Sequence, residues 1–170
     1  MQPRVLSILF AILLTGCSSE TPRVGFTPDP RSDGAEVWLD ATPSDDSAWT
    51  VEVRAAGLGP VFGYSFYVSH DPGHLTRLEA RSATSLGPDA SGEAIYLVRP
   101  SGEGAVALGG ARRGRQAGPV TIATATTLAT LRLDAARAGR SRLALSDVVV
   151  RRDDGGFVSA HATGGTLITE

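Results

Sequence analysis

The segment His70–His74 (His-Asp-Pro-Gly-His) carries two imidazoles and a carboxylate within five residues. On a helix, histidines four apart would share a face and could bind a metal, but Pro72 and Gly73 are typical of a turn. A zinc site also needs a third protein ligand, and the only other histidine is His161. We therefore predict a structural turn, with a metal or acid–base site as the alternative.

Two pairs of adjacent carboxylates, Asp45-Asp46 and Asp153-Asp154, could bind calcium through their oxygens. Calcium takes about six to eight oxygen ligands, and neither pair has the spacing of an EF-hand loop. Both pairs lie in turn-like sequence, and Gly155-Gly156 after the second pair favours a hairpin, because Asp and Gly tolerate positive φ. We expect hairpin roles for both pairs, and we expect no metal and no cofactor.

An arginine cluster, Arg112-Arg113-Gly114-Arg115, is the sharpest concentration of charge in the chain. Guanidinium groups could contact anionic lipid headgroups, an acidic polysaccharide or the carboxylates of a partner protein. A solvated loop is the alternative interpretation. Together with Arg99, these three arginines are candidate binding residues.

Aromatic side chains could form a platform on which a sugar stacks, although aromatic residues of β-sandwiches more often fill the core. The candidates are Trp38, Trp49, Tyr67 and Tyr96. Tyr67 is the best surface candidate, because it falls opposite Tyr64 and Phe66 in the alternation of its strand. We take Tyr67 and Tyr96 as candidate binding residues.

Motifs of catalysis are missing from the sequence. It has no Gly-x-Ser-x-Gly, no P-loop and no His-Glu-x-x-His, and no carboxylate pair has a recognisable glycosidase setting. The net charge of −2, from 16 arginines and 18 acidic residues, also argues against a nucleic-acid partner. We predict a protein that is not an enzyme and does not bind nucleic acid.

Residues 1–16 are predicted to be a lipoprotein signal peptide. Arg4 precedes the apolar run Val5–Leu14, which as a helix would reach about 15 Å, half of a bilayer core of roughly 30 Å. The run leads into Leu14-Thr15-Gly16-Cys17, which resembles the bacterial lipobox and contains the only cysteine of the chain. An ordinary secretory peptide followed by a chance cysteine is the alternative.

The resemblance to the lipobox implies cleavage before Cys17 and three acyl chains, palmitate among them, on that residue. Several acyl chains together would hold the protein in a membrane essentially permanently. The absence of Asp after Cys17 favours the outer membrane, by resemblance to enterobacterial sorting. We expect a lipid-anchored protein of the bacterial cell envelope, in the outer membrane.

Residues 17–34 contain three prolines and only Val24 and Phe26 as large apolar side chains, and we predict a tether there. The alternative is that Val24 and Phe26 already begin the domain. From Ala35 to Glu170 the apolar residues recur with a period of two, as in Thr50–Ala55 and Phe62–Val68. One domain over 35–170 is therefore predicted.

About nine strands follow one another at a spacing of roughly 8–14 residues, which predicts an all-β sandwich of two sheets. A helix over the Ala-rich stretch Thr121–Ala138 is the one competitor, and its β-branched threonines weaken that case. A short helical turn over Ala135–Ala138 is left open.

The order of these motifs resembles the cohesin family. The resemblance rests on an opening strand Val51-Glu52-Val53, on Gly63–Pro72 with its aromatic alternation ending in Asp-Pro, and on a late series of strands with an Asp-Gly hairpin. That series comprises Leu128–Leu133, Gly139, Leu143–Leu145, Asp154-Gly155 and Gly165–Ile168. The resemblance implies a nine-stranded jelly-roll β-sandwich. His70 and Leu133 depart from the family, which usually has Tyr and Phe there.

The resemblance also implies a function, a non-catalytic module for protein–protein docking. No partner-contact residue matches the family pattern, so the partner is expected to be dockerin-like or another protein. Two alternatives remain: a module that binds a polysaccharide, as the related carbohydrate-binding sandwiches do, and a structural envelope lipoprotein.

Overall fold

A computed structural model describes residues 24–44, 47–87, 93–114 and 118–170. Every regular element in these ranges is a β-strand, and none of their residues forms a helix that could cross a membrane. The strands are β1 (Gly25–Pro28), β2 (Glu36–Pro43), β3 (Ala48–Ala56), β4 (Leu58–Val61), β5 (Gly63–Ser69), β6 (Leu75–Ser82), β7 (Ala94–Pro100), β8 (Ala105–Arg112), β9 (Val120–Ile122), β10 (Thr126–Ala135), β11 (Gly139–Arg151), β12 (Phe157–Val158), β13 (His161–Thr163) and β14 (Gly165–Thr169). The predicted all-β class is thus confirmed.

Two sheets account for all but two of these strands. The larger sheet has the order β1-β14-β11-β5-β8-β7, with β12 added to β11. The smaller has the order β13-β2-β3-β10-β6, and β4 pairs separately with β9. Neighbours in the larger sheet are antiparallel, and many of them are far apart in sequence, which is typical of a jelly roll.

The core lies between the two sheets, and strand alternation fills it. On β5, Tyr64, Phe66 and Val68 are at most 5% exposed, as their spacing predicts. The rings of Tyr64 and Phe66 stack with centroids 5.8 Å apart, and the Tyr64 hydroxyl donates to the Leu128 carbonyl oxygen of β10 at 3.1 Å. Burial raises the pKa of Tyr64 to about 12, so this hydroxyl stays a donor at neutral pH.

Part of the predicted tether belongs to the sandwich, so the boundary at Ala35 falls too late. Strand β1 pairs with β14 over four residues, from Gly25 opposite Ile168 to Pro28 opposite Gly165. The Phe26 ring lies against Gly165 so closely that a Cβ there would come within 2.2 Å of it. Only a glycine leaves room for Phe26, which thereby packs on the core.

The stretch Thr121–Ala138 is extended rather than helical, as its β-branched residues favoured. It supplies most of β9 and all of β10, and residues 136–138 form a bend instead of the helical turn left open. Backbone amides of Ala136 and Arg137 donate to the His74 carbonyl oxygen, which ties this bend to the start of β6.

Candidate docking surface

The outward side of β5, β8 and β7 forms a regular grid of side chains. Because antiparallel partners point to the same side of a sheet, the pairing register places them in rows. The rows are Tyr67–Ala107–Arg99, Ser65–Gly109–Leu97 and Gly63–Ala111–Ile95. We call the surface made by Tyr67, Ala107, Gly109, Ile95, Leu97 and Arg99 the docking face.

The docking face is flat in the middle and apolar at its rims. Its central strand β8 contributes only alanine and glycine, and a Cβ at Gly109 would lie 3.0 Å from the Tyr64 carbonyl oxygen. Large apolar side chains stand on either side: Tyr67 is 38% exposed, Ile95 44% and Leu97 59%. Such a broad exposed apolar patch is typical of an interaction surface.

A bulge in β11 borders the docking face beside Tyr67. The pairing of β11 with β5 shifts between Ser146, which lies opposite Tyr67, and Val149. Within the shift, Asp147 adopts a φ of 49°, the left-handed region that only glycine adopts without cost. Bulges of this kind interrupt regular pairing and re-aim side chains, and here the bulge carries an exposed carboxylate next to the face.

Two of the candidate binding residues hold a loop in place instead of facing outward. The Tyr96 hydroxyl accepts from the Leu86 amide at 3.0 Å and donates to the Gly87 carbonyl oxygen at 2.7 Å. The Arg112 side chain is 10% exposed and donates to the carbonyl oxygens of Leu86 at 2.5 Å and Gly118 at 3.1 Å. Tyr96 and Arg112 therefore fasten the 83–87 loop at one end of β7 and β8.

The other arginines are distributed between the face and one end of the sandwich. Arg99 is exposed on the docking face itself. Arg113 is exposed in the turn after β8, and its backbone amide donates to the Glu93 carbonyl oxygen at 2.8 Å. Arg115 and Cys17 lie outside the described residues.

The His70–His74 segment forms the predicted turn. Amides of His74 and Leu75 donate to the Asp71 carbonyl oxygen, and the Asp71 carboxylate contacts His74 Nδ1 at 2.9 Å and accepts from the Gly73 amide at 2.8 Å. These hydrogen bonds, led by that from His74, lower the pKa of Asp71. His70 is 8% exposed, and burial lowers the pKa of its imidazole.

The other candidates from the sequence that lie within the described ranges have structural roles. Trp38 and Trp49 are 6% and 4% exposed, and the Arg31 guanidinium covers the Trp38 ring at 3.6 Å. The predicted hairpin turn after β11 is present, with the Asp154 carboxylate accepting from the Gly156 amide at 2.7 Å. Asp45-Asp46 lies outside the described ranges. Within those ranges no three His, Cys, Asp or Glu side chains converge as metal ligands would.

Comparisons with known proteins find similarity in structure. No family model and no curated protein matches the sequence. The sixth cohesin of scaffoldin B from Acetivibrio cellulolyticus, solved with a mutant Cel5 dockerin, matches with a TM-score of 0.65 at 16% identity, covering 81% of this chain and 99% of that one. The cohesin CaCohA2 of Clostridium acetobutylicum matches with a TM-score of 0.61 at 20% identity, covering 80% and 92%.

A non-cellulosomal cohesin from the archaeon Archaeoglobus fulgidus matches as well, with a TM-score of 0.60 at 13% identity, over 80% of this chain and 92% of that one. All three matches include nearly the whole length of the compared domain, so the likeness extends to the complete sandwich. The chain therefore has the cohesin jelly-roll β-sandwich fold, as the resemblance of its motifs to that family implied.

Proposed function

We propose that this protein is a non-catalytic docking module whose partner is another protein, bound on the docking face. The observation that carries the proposal is the exposed apolar grid of β5, β8 and β7, with Leu97 59% exposed. The fold supports it, because solved cohesins of the same architecture include one captured with a dockerin. A non-cellulosomal cohesin shares the fold too, so the partner need not be a dockerin.

The chemistry of the face indicates what the partner presents. A flat centre of alanine and glycine between Tyr67 and Leu97 fits an apolar protein surface that excludes water from the middle of the contact. Arg99 at one corner fits a carboxylate on the partner. A sugar would need coplanar exposed rings, and Tyr67 is the one aromatic of this face, since the Tyr96 hydroxyl is bound to the 83–87 loop.

Display at a bilayer through an acylated Cys17 forms the second part of the proposal. Strand β1 begins at Gly25, which pairs with Ile168. Ile168 pairs in turn with Arg140, the second residue of β11. Arg112 and Arg113 follow Ala111, whose partner Gly63 lies opposite Arg151, at the far end of the 13-residue β11. The exposed Arg113 therefore lies at the end of β11 away from chain entry, roughly 35 Å along that strand, which favours a protein contact or a solvated role for Arg113 over lipid headgroups.

The docking proposal is tested by capture from a lysate of the source organism. The purified protein is compared with Leu97→Asp, which puts a charge into the apolar face, and with Phe157→Ser, a matched loss of an exposed apolar side chain outside the face. Phe157 is 60% exposed on β12. We expect Leu97→Asp to weaken capture of a specific protein about 30-fold or more, as for a hot-spot residue, and Phe157→Ser to leave it unchanged.

Equal capture by all three proteins would contradict the docking face. Capture of no protein at all would instead favour the structural envelope lipoprotein.

The anchoring proposal has its own test in Cys17→Ser. We expect metabolically supplied labelled palmitate to enter the unmodified protein and not the variant, and the variant to leave the membrane fraction. A Cys17→Ser protein that stays in the membrane fraction would contradict acylation at that residue.

A further inference from the structure

The bulge in β11 holds a carboxylate at a position where the backbone favours glycine. Asp147 adopts a φ of 49°, and residues other than glycine occupy this left-handed region at an energetic cost. A short polar side chain can offset part of that cost with a local hydrogen bond. In the described part of the chain, however, no residue donates a hydrogen bond to the Asp147 carboxylate or forms an ion pair with it. The local structure therefore does not explain why a carboxylate stands there.

The bulge also keeps Asp147 in solvent at the border of the docking face. Asp147 is exposed, whereas the next residue, Val148, packs against the core between the sheets. The preceding residue, Ser146, pairs with Tyr67 of β5. Asp147 thus lies one residue beyond the row of side chains that crosses the docking face from Tyr67 to Arg99.

The other end of this row carries a guanidinium. Arg99 of β7 is exposed, and none of the described residues forms an ion pair with it. Three strand spacings separate β11 from β7, so the two charged positions are roughly 14 Å apart. Tyr67 and Ala107 lie between them. The docking face is therefore acidic at one border, basic at the other and apolar in the middle.

Charges at the border of an interface determine the choice and orientation of a partner more than its affinity. A partner whose basic side chain meets Asp147 and whose acidic side chain meets Arg99 gains two attractions. The same partner rotated by half a turn about the normal to the sheet brings like charges together at both positions, which is unfavourable. Such charges also speed association, and salt screens their effect.

We propose that Asp147 is a specificity-determining residue of the docking face. Together with Arg99 it selects a protein partner that presents a basic and an acidic side chain roughly 14 Å apart, with an apolar surface between them. It also fixes that partner in one of the two orientations. This inference rests on the proposed docking function and describes the partner by its pattern of charge.

The test uses the protein that the unmodified chain captures from the lysate, purified and titrated by surface plasmon resonance. Asp147→Asn removes the charge but keeps the backbone, because Asn tolerates the left-handed region as Asp does. We expect Asp147→Asn to weaken binding about fivefold at low salt, mainly through slower association, and this difference to fall below about twofold in about 1 M salt. Asp153→Asn is the matched control: Asp153 is also exposed but lies in the turn after β11, and the variant should bind like the unmodified protein.

Reversal of both charges tests the orientation. The double variant Asp147→Asn/Arg99→Gln removes both attractions, and Asp147→Lys/Arg99→Glu replaces them with repulsions. Rotation of the partner cannot restore full binding to the reversed variant, because Tyr67 and Leu97 make the two sides of the face different. At low salt we expect the reversed variant to bind at least about fivefold more weakly than the neutral one. Thermal unfolding of each variant checks that it is folded.

Three results would overturn the inference: full affinity in Asp147→Asn, equal weakening by Asp147→Asn and Asp153→Asn, or equal affinity of the two double variants. The docking proposal is tested separately by Leu97→Asp. Loss of capture in Leu97→Asp together with full affinity in Asp147→Asn would reject this inference and leave docking standing. Failure of the unmodified protein to capture any protein would reject both.

Discussion

The two outer faces of the sandwich are covered by opposite chemistry. On the larger sheet, the docking face exposes Tyr67, Ile95 and Leu97 around a centre of alanine and glycine. On the smaller sheet, charged side chains recur on the outer side of β3, β6 and β10, and some contact one another, as Arg81 does with Glu79 and Arg54 with Asp40 at 3.7 Å. The sheets share one core but present very different surfaces to solvent.

This difference between the two faces indicates which of them binds a partner. On the charged face, Arg81 pairs with Glu79 and Arg54 with Asp40, and such exposed ion pairs contribute little to stability while keeping the surface soluble. The apolar side chains of the docking face remain in water after folding, so the isolated domain gains little from them. A partner that covers them would recover that gain, which is why we assign docking to the larger sheet.

The largest expected effect on stability is the difference between substitutions on the inner and the outer side of strand β5. Phe66 is 1% exposed and its neighbour Tyr67 is 38% exposed. Phe66→Ala should lower the free energy of unfolding by about 3–5 kcal/mol, because it leaves a cavity between the sheets. Tyr67→Ala should change it by no more than about 0.5 kcal/mol. Denaturant titration measures both, and a Tyr67→Ala protein as unstable as Phe66→Ala would show that Tyr67 belongs to the core.

The next largest effect on stability is expected from substitutions at Asp147, in the bulge beside Tyr67. Asp147 has a φ of 49°, which a β-branched residue adopts only at a cost. Asp147→Val should therefore lower the unfolding free energy by about 1–2 kcal/mol, whereas Asp147→Gly should keep or raise it. Equal thermal midpoints for Asp147→Val and Asp147→Gly would contradict the left-handed backbone conformation of Asp147.

The buried imidazole of His70, which directly follows β5, makes the stability of the fold depend on pH. Burial lowers the pKa of His70, so the unfolded chain takes up a proton there more readily than the folded one. The contribution of neutral His70 is therefore complete above about pH 6.5 and declines as the pH falls below that value.

His70→Phe removes this titration. Unfolding followed between pH 7 and pH 5 should show a smaller loss of stability in the variant than in the unmodified protein. Parallel pH curves for the two proteins would contradict the assignment.

The smallest effect is expected on the charged face. Glu79 and Arg81 are exposed, with side chains 51% and 75% accessible. A double-mutant cycle with Glu79→Gln and Arg81→Gln should give a coupling free energy of about 0.5 kcal/mol or less. A coupling of several kcal/mol would show that the charged face is a structural network, and the contrast with the docking face would lose its meaning.

The sequence predicted those parts of the fold in which one side of a strand is buried. Val51, Val53 and Ala55 of β3, and Tyr64, Phe66 and Val68 of β5, alternate as predicted because each set fills the core. Strand β6 escaped prediction, since its bulge breaks the period of two and its register changes between Glu79 and Arg77. Strand β1 was hidden in a proline-rich segment, because its partner β14 is remote in sequence.

The candidate site was predictable only in part. Alternation placed Tyr67 outward. It could not tell which side of β7 faces solvent, because this edge strand has apolar residues on both sides. Ile95 and Leu97 are exposed, whereas Tyr96 turns inward. A charged residue is normally expected to be exposed to solvent, yet the Arg112 guanidinium donates hydrogen bonds to the carbonyl oxygens of Leu86 and Gly118. The flat grid of side chains depends on the pairing of β5 with β8 and of β8 with β7, which no local sequence pattern predicts.

Hydrogen exchange of the protein alone and in complex with the captured partner tests the central claim most directly. Exchange is followed by mass spectrometry on peptides from both sheets. We predict that the partner slows exchange in peptides from β5, β7 and β8, and leaves β3, β6 and β10 unchanged. Protection confined to β3, β6 and β10 would place the partner on the charged face and contradict the account.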